Sequence, residues 1–143
     1  MQQRNLTWEA FFLRTGLGGV FFFFGIDKLP HPERWVIYYP IFLKSTGIHP
    51  YFILKIQGIM EVCLGLSLLA GFFTRLAAVL AAFFLIGVIW VLGWDPIAIR
   101  DFGLFFSAAA LAVSGPGQWS LDEAIRYVSS DKPKDQGGEG GKL

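Results

Sequence analysis

The sequence predicts an all-α integral membrane protein: a bundle of four transmembrane helices followed by a short C-terminal interfacial helix. Of its 143 residues, 54% are hydrophobic and 16% are charged, a balance more apolar than that of an average soluble domain. Four apolar segments are each about 20 residues long, enough to cross a hydrocarbon core of about 30 Å. We place these spans at about 9–29, 51–71, 75–95 and 98–115.

The first two spans carry charges within the apolar region. The first has Arg14 near its start and Asp27–Lys28 near its end, and no small-residue cleavage site follows it. It is therefore predicted to be retained rather than removed as a secretory signal. The second span contains Glu61 as its only charge, which places a carboxyl group at depth in the membrane.

The third and fourth spans have clearer limits. No charged residue lies between Leu76 and Trp94, and the Trp90/Trp94 pair suits a membrane interface. The fourth span opens near Arg100–Asp101 and stops at Pro116–Gly117, where proline and glycine cannot continue a helix.

The long connection at 30–50 is rich in proline and aromatic residues. Such a segment either lies along the interface, folds back over the bundle, or forms an ordinary surface loop. After the fourth span, Ser120 and Glu123 have the spacing of a capping box. This predicts an interfacial helix over 120–128, which completes one membrane domain over 1–128. The polar stretch 129–143 is predicted to be a disordered tail.

The membrane orientation follows from the positive charges. Four spans place both termini on one side, and the loops and ends provide five Lys or Arg residues on each side. Arg14 and Lys142 tip this balance toward cytoplasmic termini. The net charge of +1 gives no reason to expect a nucleic-acid partner.

The charged residues inside the membrane are the candidate functional residues. A charge at the bilayer centre costs about 2.5–3.5 kcal/mol, so it is normally paired or placed in a polar cavity. At about 1.5 Å per residue, Arg14 and Glu61 lie near enough to the same surface to predict a contact between them. A second cluster is predicted near the opposite surface. Its members are Asp27, Lys28, Lys55, Arg100 and Asp101.

These polar groups have two interpretations of equal weight. Either they only fix the register of the helices, or Glu61 moves a proton or hydrogen-bonds a ligand head group in a pocket shared with Arg14 and Gln57. Glu61 is thus the one candidate for a catalytic role. The phenylalanine run at 21–24 points in all directions and is predicted to make lipid and packing contacts.

Several kinds of chemistry are excluded by residue content. Cys63 is the only cysteine, and His31 and His49 both lie outside the spans. An internal thiol relay and a haem held by two membrane histidines are therefore ruled out. No metal-ligand spacing occurs, so the sequence predicts no metal site and no built-in cofactor.

The order of several short motifs resembles the DoxX family of small four-helix membrane proteins over about residues 10 to 125. The motifs are Arg14-x-Gly16-Leu17-Gly18, Phe23-Phe24-Gly25-x-x-Lys28-Leu29, Gly58-x-x-Glu61-x-x-x-Gly65, Gly71-Phe72-x-Thr74-Arg75-x-Ala77-Ala78, Arg100-Asp101-x-x-Leu104 and Gly115-Pro116-Gly117-x-Trp119-Ser120-Leu121-Asp122.

The resemblance implies a function in membrane redox chemistry. The family includes members, and a related group called DoxD, that serve as membrane subunits of thiosulfate:quinone oxidoreductase. Other members are tied to membrane-associated redox or oxidative-stress complexes. The expectation is a subunit of a quinone-linked oxidoreductase in a prokaryotic plasma membrane, with quinone as ligand, rather than an enzyme that acts alone. Its partners would be the lipid bilayer and either a redox enzyme or further copies of the chain. The alternatives are a small-solute or proton carrier and a non-catalytic anchor or assembly subunit.

Overall fold

The fold is all α, as predicted. The computed structural model describes residues 7–40, 43–44, 47–93 and 95–130. Four of its helices are long and apolar enough to cross a membrane. The elements in chain order are α1 (Thr7–Lys28), a 3₁₀-helix (Pro32–Tyr38), α2 (Pro50–Ala70), α3 (Thr74–Leu92), α4 (Pro96–Ser114) and α5 (Leu121–Ser130).

The ends of the spans are set by local caps. α4 begins at Pro96, two residues before the predicted start, because the Asp95 side chain accepts a hydrogen bond from the Ile97 N–H at 3.0 Å. α3 ends at Leu92, before the predicted limit of 95, because Gly93 follows it with a φ of 65°. Gly71 ends α2 in the left-handed region, with a φ of 72°.

Helices α1 and α2 approach through glycines. A Cβ on Gly25 would lie 2.7 Å from the backbone N of Val62, and a Cβ on Gly18 would lie 3.0 Å from the carbonyl oxygen of Gly65. The contact moves backward along α2 as it moves forward along α1, so the two helices are antiparallel. Small residues permit this close approach, as in other membrane helix pairs.

The bundle has two main helix pairs, α1 with α2 and α3 with α4, and α1 also packs against α4. Its core lies in the half of the bundle where α1 begins and α4 ends. Leu17 and Phe21 of α1, Leu68 of α2, and the alanines of α3 and α4 form this core. In the other half, a cavity lies between the helices.

Helix α5 docks on the turn between α2 and α3. Ser120 Oγ accepts a hydrogen bond from the Glu123 N–H at 3.2 Å, which is the predicted N-cap. The helix continues to Ser130 rather than stopping at 128. Its apolar residues Leu121, Ile125 and Val128 are exposed and share one face, as expected for an interfacial helix. Residues 131–143, most of the predicted tail, lie outside the described residues.

Candidate functional site

A cavity of about 370 Å³ lies between the four spans, in the half of the bundle where α1 ends and α4 begins. Its walls are mainly apolar and aromatic. The aromatic lining residues are Phe21, Phe24, Trp35, Tyr38, Phe83 and Phe84. The polar lining residues are Lys28, Gln57, Glu61, Arg100 and Asp101. A volume in this range, with apolar walls and a few converging polar groups, is typical of small-molecule sites.

The central polar contact of the cavity joins α1 to α2. Lys28 Nζ lies 2.6 Å from Glu61 Oε1, and the two side chains are only 4% and 6% exposed. Lys28 Nζ also lies 4.7 Å from the centroid of the Trp35 ring, which adds a cation–π contact. Each buried charge is therefore compensated where water cannot solvate it.

A second ion pair lies on α4. Arg100 Nη2 and Nε approach Asp101 Oδ1 at 2.7 and 2.9 Å. The Asp101 side chain is buried, whereas that of Arg100 is partly exposed. The guanidinium carbon of Arg100 lies 4.8 Å from the Phe24 ring centroid. The cavity thus holds two cations and two carboxylates, with no net charge.

One polar atom of the site has no hydrogen-bond partner among the described residues. Glu61 Oε2 is buried and unbonded, although Oε1 is paired with Lys28. Gln57 lies one helical turn before Glu61 and also lines the cavity. A buried acceptor without a donor is uncommon in folded proteins, so Oε2 marks the point at which a ligand would find an open hydrogen-bonding position.

The predicted contact between Arg14 and Glu61 is wrong. Arg14 Nη1 donates to the Pro116 carbonyl at 3.1 Å, and Nη2 donates to the Trp119 carbonyl. Arg14 therefore holds the segment after α4 and does not line the cavity. The reason is geometric, because helical side chains lean toward the N-terminus of their helix. On α1 this direction takes the Arg14 side chain away from Glu61. It takes the Lys28 side chain toward Glu61.

The second predicted cluster is divided by the structure. Lys28, Arg100 and Asp101 line the cavity, but Asp27 and Lys55 do not. Asp27 accepts a hydrogen bond from Trp35 Nε1 at 3.1 Å and lies 3.4 Å from Arg34 Nη1. It therefore fixes the 3₁₀-helix beside the cavity. Lys55 is exposed.

We did not predict from the sequence that aromatic residues line the cavity. Trp35 and Tyr38 reach the cavity because the connection folds back over the bundle, one of the arrangements left open above. In the phenylalanine run, Phe23 is 70% exposed, as a lipid contact should be. Phe21 and Phe24 instead line the cavity. The signal lay in the helical spacing, since Phe21, Phe24 and Lys28 are three and four residues apart and share a face.

Comparison with known proteins identifies a family. A family model described as DoxX matches residues 10–94, a range that includes Lys28, Gln57 and Glu61 and extends over α1, α2 and α3. No curated protein and no solved structure gives a significant match to the chain.

Proposed function

This chain belongs to the DoxX family, and we propose that it is the membrane subunit of a quinone-linked oxidoreductase complex. The cavity between the spans is the proposed quinone site. The observation that carries the proposal is the combination, inside one membrane cavity, of aromatic walls with the buried Lys28–Glu61 ion pair and a second pair, Arg100–Asp101, of which Asp101 is buried. Both features suit a flat ring that carries oxygen atoms and reaches the protein from the lipid.

The lining residues fit such a ring chemically. Phe21, Phe24 and Trp35 offer aromatic faces and edges, which favour stacked or edge-on contacts with another ring. Lys28 and Arg100 have further N–H groups that can donate to ring oxygens, and Glu61 Oε2 can accept from a ring hydroxyl.

The chain itself has no thiol pair and no histidine in its spans. A bound quinone supplies two-electron, two-proton chemistry, and a partner enzyme is proposed to exchange electrons with it. The residues of this chain bind and orient the ring, exclude water with apolar walls, and offer Glu61 as a hydrogen-bonding group within the membrane.

Ligand binding tests the site. The purified protein in lipid nanodiscs should bind a short-chain quinone saturably, with partial quenching of tryptophan fluorescence because Trp35 lines the cavity. Val88→Phe should reduce the affinity at least about tenfold, because Val88 lines the cavity and a larger side chain fills it. Val113→Phe is the matched control, since Val113 is 83% exposed on α4 and is not a lining residue. Equal affinity in both variants would reject this cavity as the site.

Capture of the complex tests the assignment as a subunit. Purification from native membranes in mild detergent should recover a redox enzyme whose quinone-dependent turnover falls when Glu61 is replaced by Gln. Undiminished turnover with intact assembly would count against the role of Glu61. Proton or solute flux through liposomes that contain this protein alone would favour the carrier alternative and count against the subunit proposal. Neither flux nor turnover would favour an anchor.

A further inference from the structure

The unbonded oxygen of Glu61 distinguishes between the two redox forms of the proposed ligand. An oxidised quinone has carbonyl oxygens, which only accept hydrogen bonds, whereas the reduced form has ring hydroxyls, which also donate. We propose that the cavity binds the reduced, hydroxyl-bearing form more tightly than the oxidised form, and this inference rests on the proposed function. Glu61 Oε2 accepts the hydrogen bond that a ring hydroxyl donates.

Glu61 is suited to accept and not to donate. Its Oε1 lies 2.6 Å from the Lys28 ammonium, and a carboxylate paired in this way has lone pairs but no O–H group. Its Oε2 is buried without a hydrogen bond. A ligand that brings an O–H group completes this carboxylate, and a ligand that brings only a carbonyl leaves it incomplete.

The other charges of the cavity do not remove this difference. Lys28 and Arg100 each have N–H groups beyond those used in their ion pairs. These groups can donate to a carbonyl oxygen and also to a hydroxyl oxygen. The cations therefore admit both forms, and Glu61 selects between them.

Gln57 is placed to assist the same hydroxyl. It lies one turn before Glu61 on α2, and both side chains line the cavity, so they share a helix face. A hydroxyl that donates to Glu61 can accept a hydrogen bond from the Gln57 amide. The oxygen and the proton of one ring hydroxyl are then both bonded to α2.

The preference is measured by anaerobic titration of the protein in nanodiscs with a short-chain quinone and with the corresponding quinol. We expect the quinol to bind about tenfold more tightly, the effect of one additional hydrogen bond to a charged acceptor. A tenfold preference raises the two-electron midpoint potential of the bound couple by about 30 mV relative to the free couple. Redox titration of the bound ligand therefore provides a second measurement.

Glu61→Gln should reduce the preference, because a carboxamide offers a donor to carbonyl oxygens as well as an acceptor. Glu33→Gln is the matched control: Glu33 is exposed and does not line the cavity, so its removal should leave the ratio of affinities unchanged. The wild-type ratio alone tests the inference if Glu61→Gln fails to fold.

The outcomes separate the two proposals. If the wild-type protein binds the quinone as tightly as the quinol, or more tightly, the inference is wrong while the quinone site stands. If neither form binds, the proposed site fails and the inference fails with it. A preference for quinol that Glu61→Gln leaves unchanged would assign the selectivity to another residue and overturn the role of Glu61.

Discussion

The buried pair between Lys28 and Glu61 connects α1 to α2 in the wall of the cavity. Both side chains are almost fully enclosed, and each charge alone would cost about 2.5–3.5 kcal/mol near the centre of a bilayer. Removal of one partner leaves the other charge without compensation. The stability lost when one partner is removed is usually larger than the net contribution of the intact pair to stability.

This asymmetry predicts the behaviour of single and double variants. Lys28→Met should destabilise the protein by about 2.5–3.5 kcal/mol, because Glu61 is then buried without its cation. The double variant Lys28→Met/Glu61→Gln should recover part of this loss. Thermal unfolding in detergent measures both effects. Lys55→Met, at an exposed position, is the control and should leave the unfolding temperature nearly unchanged. A double variant less stable than Lys28→Met would contradict the coupling.

The residue scale also shows how far the site could be predicted. Lys28, Gln57, Glu61, Arg100 and Asp101 were selected from the sequence because a charged or strongly polar group inside an apolar span needs a partner or a cavity, and all five line the cavity. Their pairing was not predictable from axial position alone. It depends on the direction in which each side chain leaves its helix.

At the scale of elements, α5 is bound to the turn between α2 and α3 by reciprocal hydrogen bonds. The Asp122 carboxylate accepts from the N–H groups of Phe73 and Thr74, each at 2.8 Å, and therefore caps the N-terminus of α3 from a distant part of the chain. The Asp122 N–H donates to the Gly71 carbonyl at 3.0 Å. Arg14 adds its bonds to the preceding segment.

Loss of this cap should loosen α5 selectively. Asp122→Ala removes two hydrogen bonds at a helix N-terminus, worth about 1 kcal/mol, so trypsin should cleave after Arg126 about fivefold faster through local opening. The cleavage is followed by mass spectrometry in detergent. Glu123→Ala is the control, because its carboxylate pairs with exposed Arg126 at 3.2 Å, a type of contact worth little. Equal cleavage rates in both variants would rule out the cap as the attachment of α5.

The elements were more predictable than their docking. Apolar length identified the four spans, and Ser120 with Glu123 identified the start of α5, because these are local signals. The 3₁₀-helix at Pro32–Tyr38 was not predicted, since its position depends on the bond from Trp35 to Asp27. The cap from Asp122 to α3 was also missed, because an N-cap is normally sought next to its own helix, and Phe73 forms no side-chain cap there.

At the scale of the whole molecule, the family motifs divide between the two ends of the bundle. Arg14, Gly71 and Asp122 lie at the end where α1 begins and α4 ends, and there they attach α5. Lys28 and Glu61 meet nearer the opposite end, where the cavity lies. The residues at one end of the bundle thus pack the core and attach α5, and those at the other end form the proposed binding site. The membrane orientation therefore decides which side the cavity lies toward.

The positive charges predict cytoplasmic termini. With that orientation, the cavity would lie in the outer half of the membrane, and the proposed redox partner would reach it from outside the cell. Single cysteines in a Cys63→Ser background test this orientation. A membrane-impermeant maleimide should label Lys44→Cys, in the exposed connection, in intact cells. It should label Arg126→Cys, on exposed α5, only after the membrane is opened. The Cys63→Ser protein without an added cysteine controls for background. The reverse labelling pattern would place the cavity in the cytoplasmic half of the membrane. The proposed electron partner would then be intracellular, because electron exchange is favoured at the membrane surface nearer to the cavity.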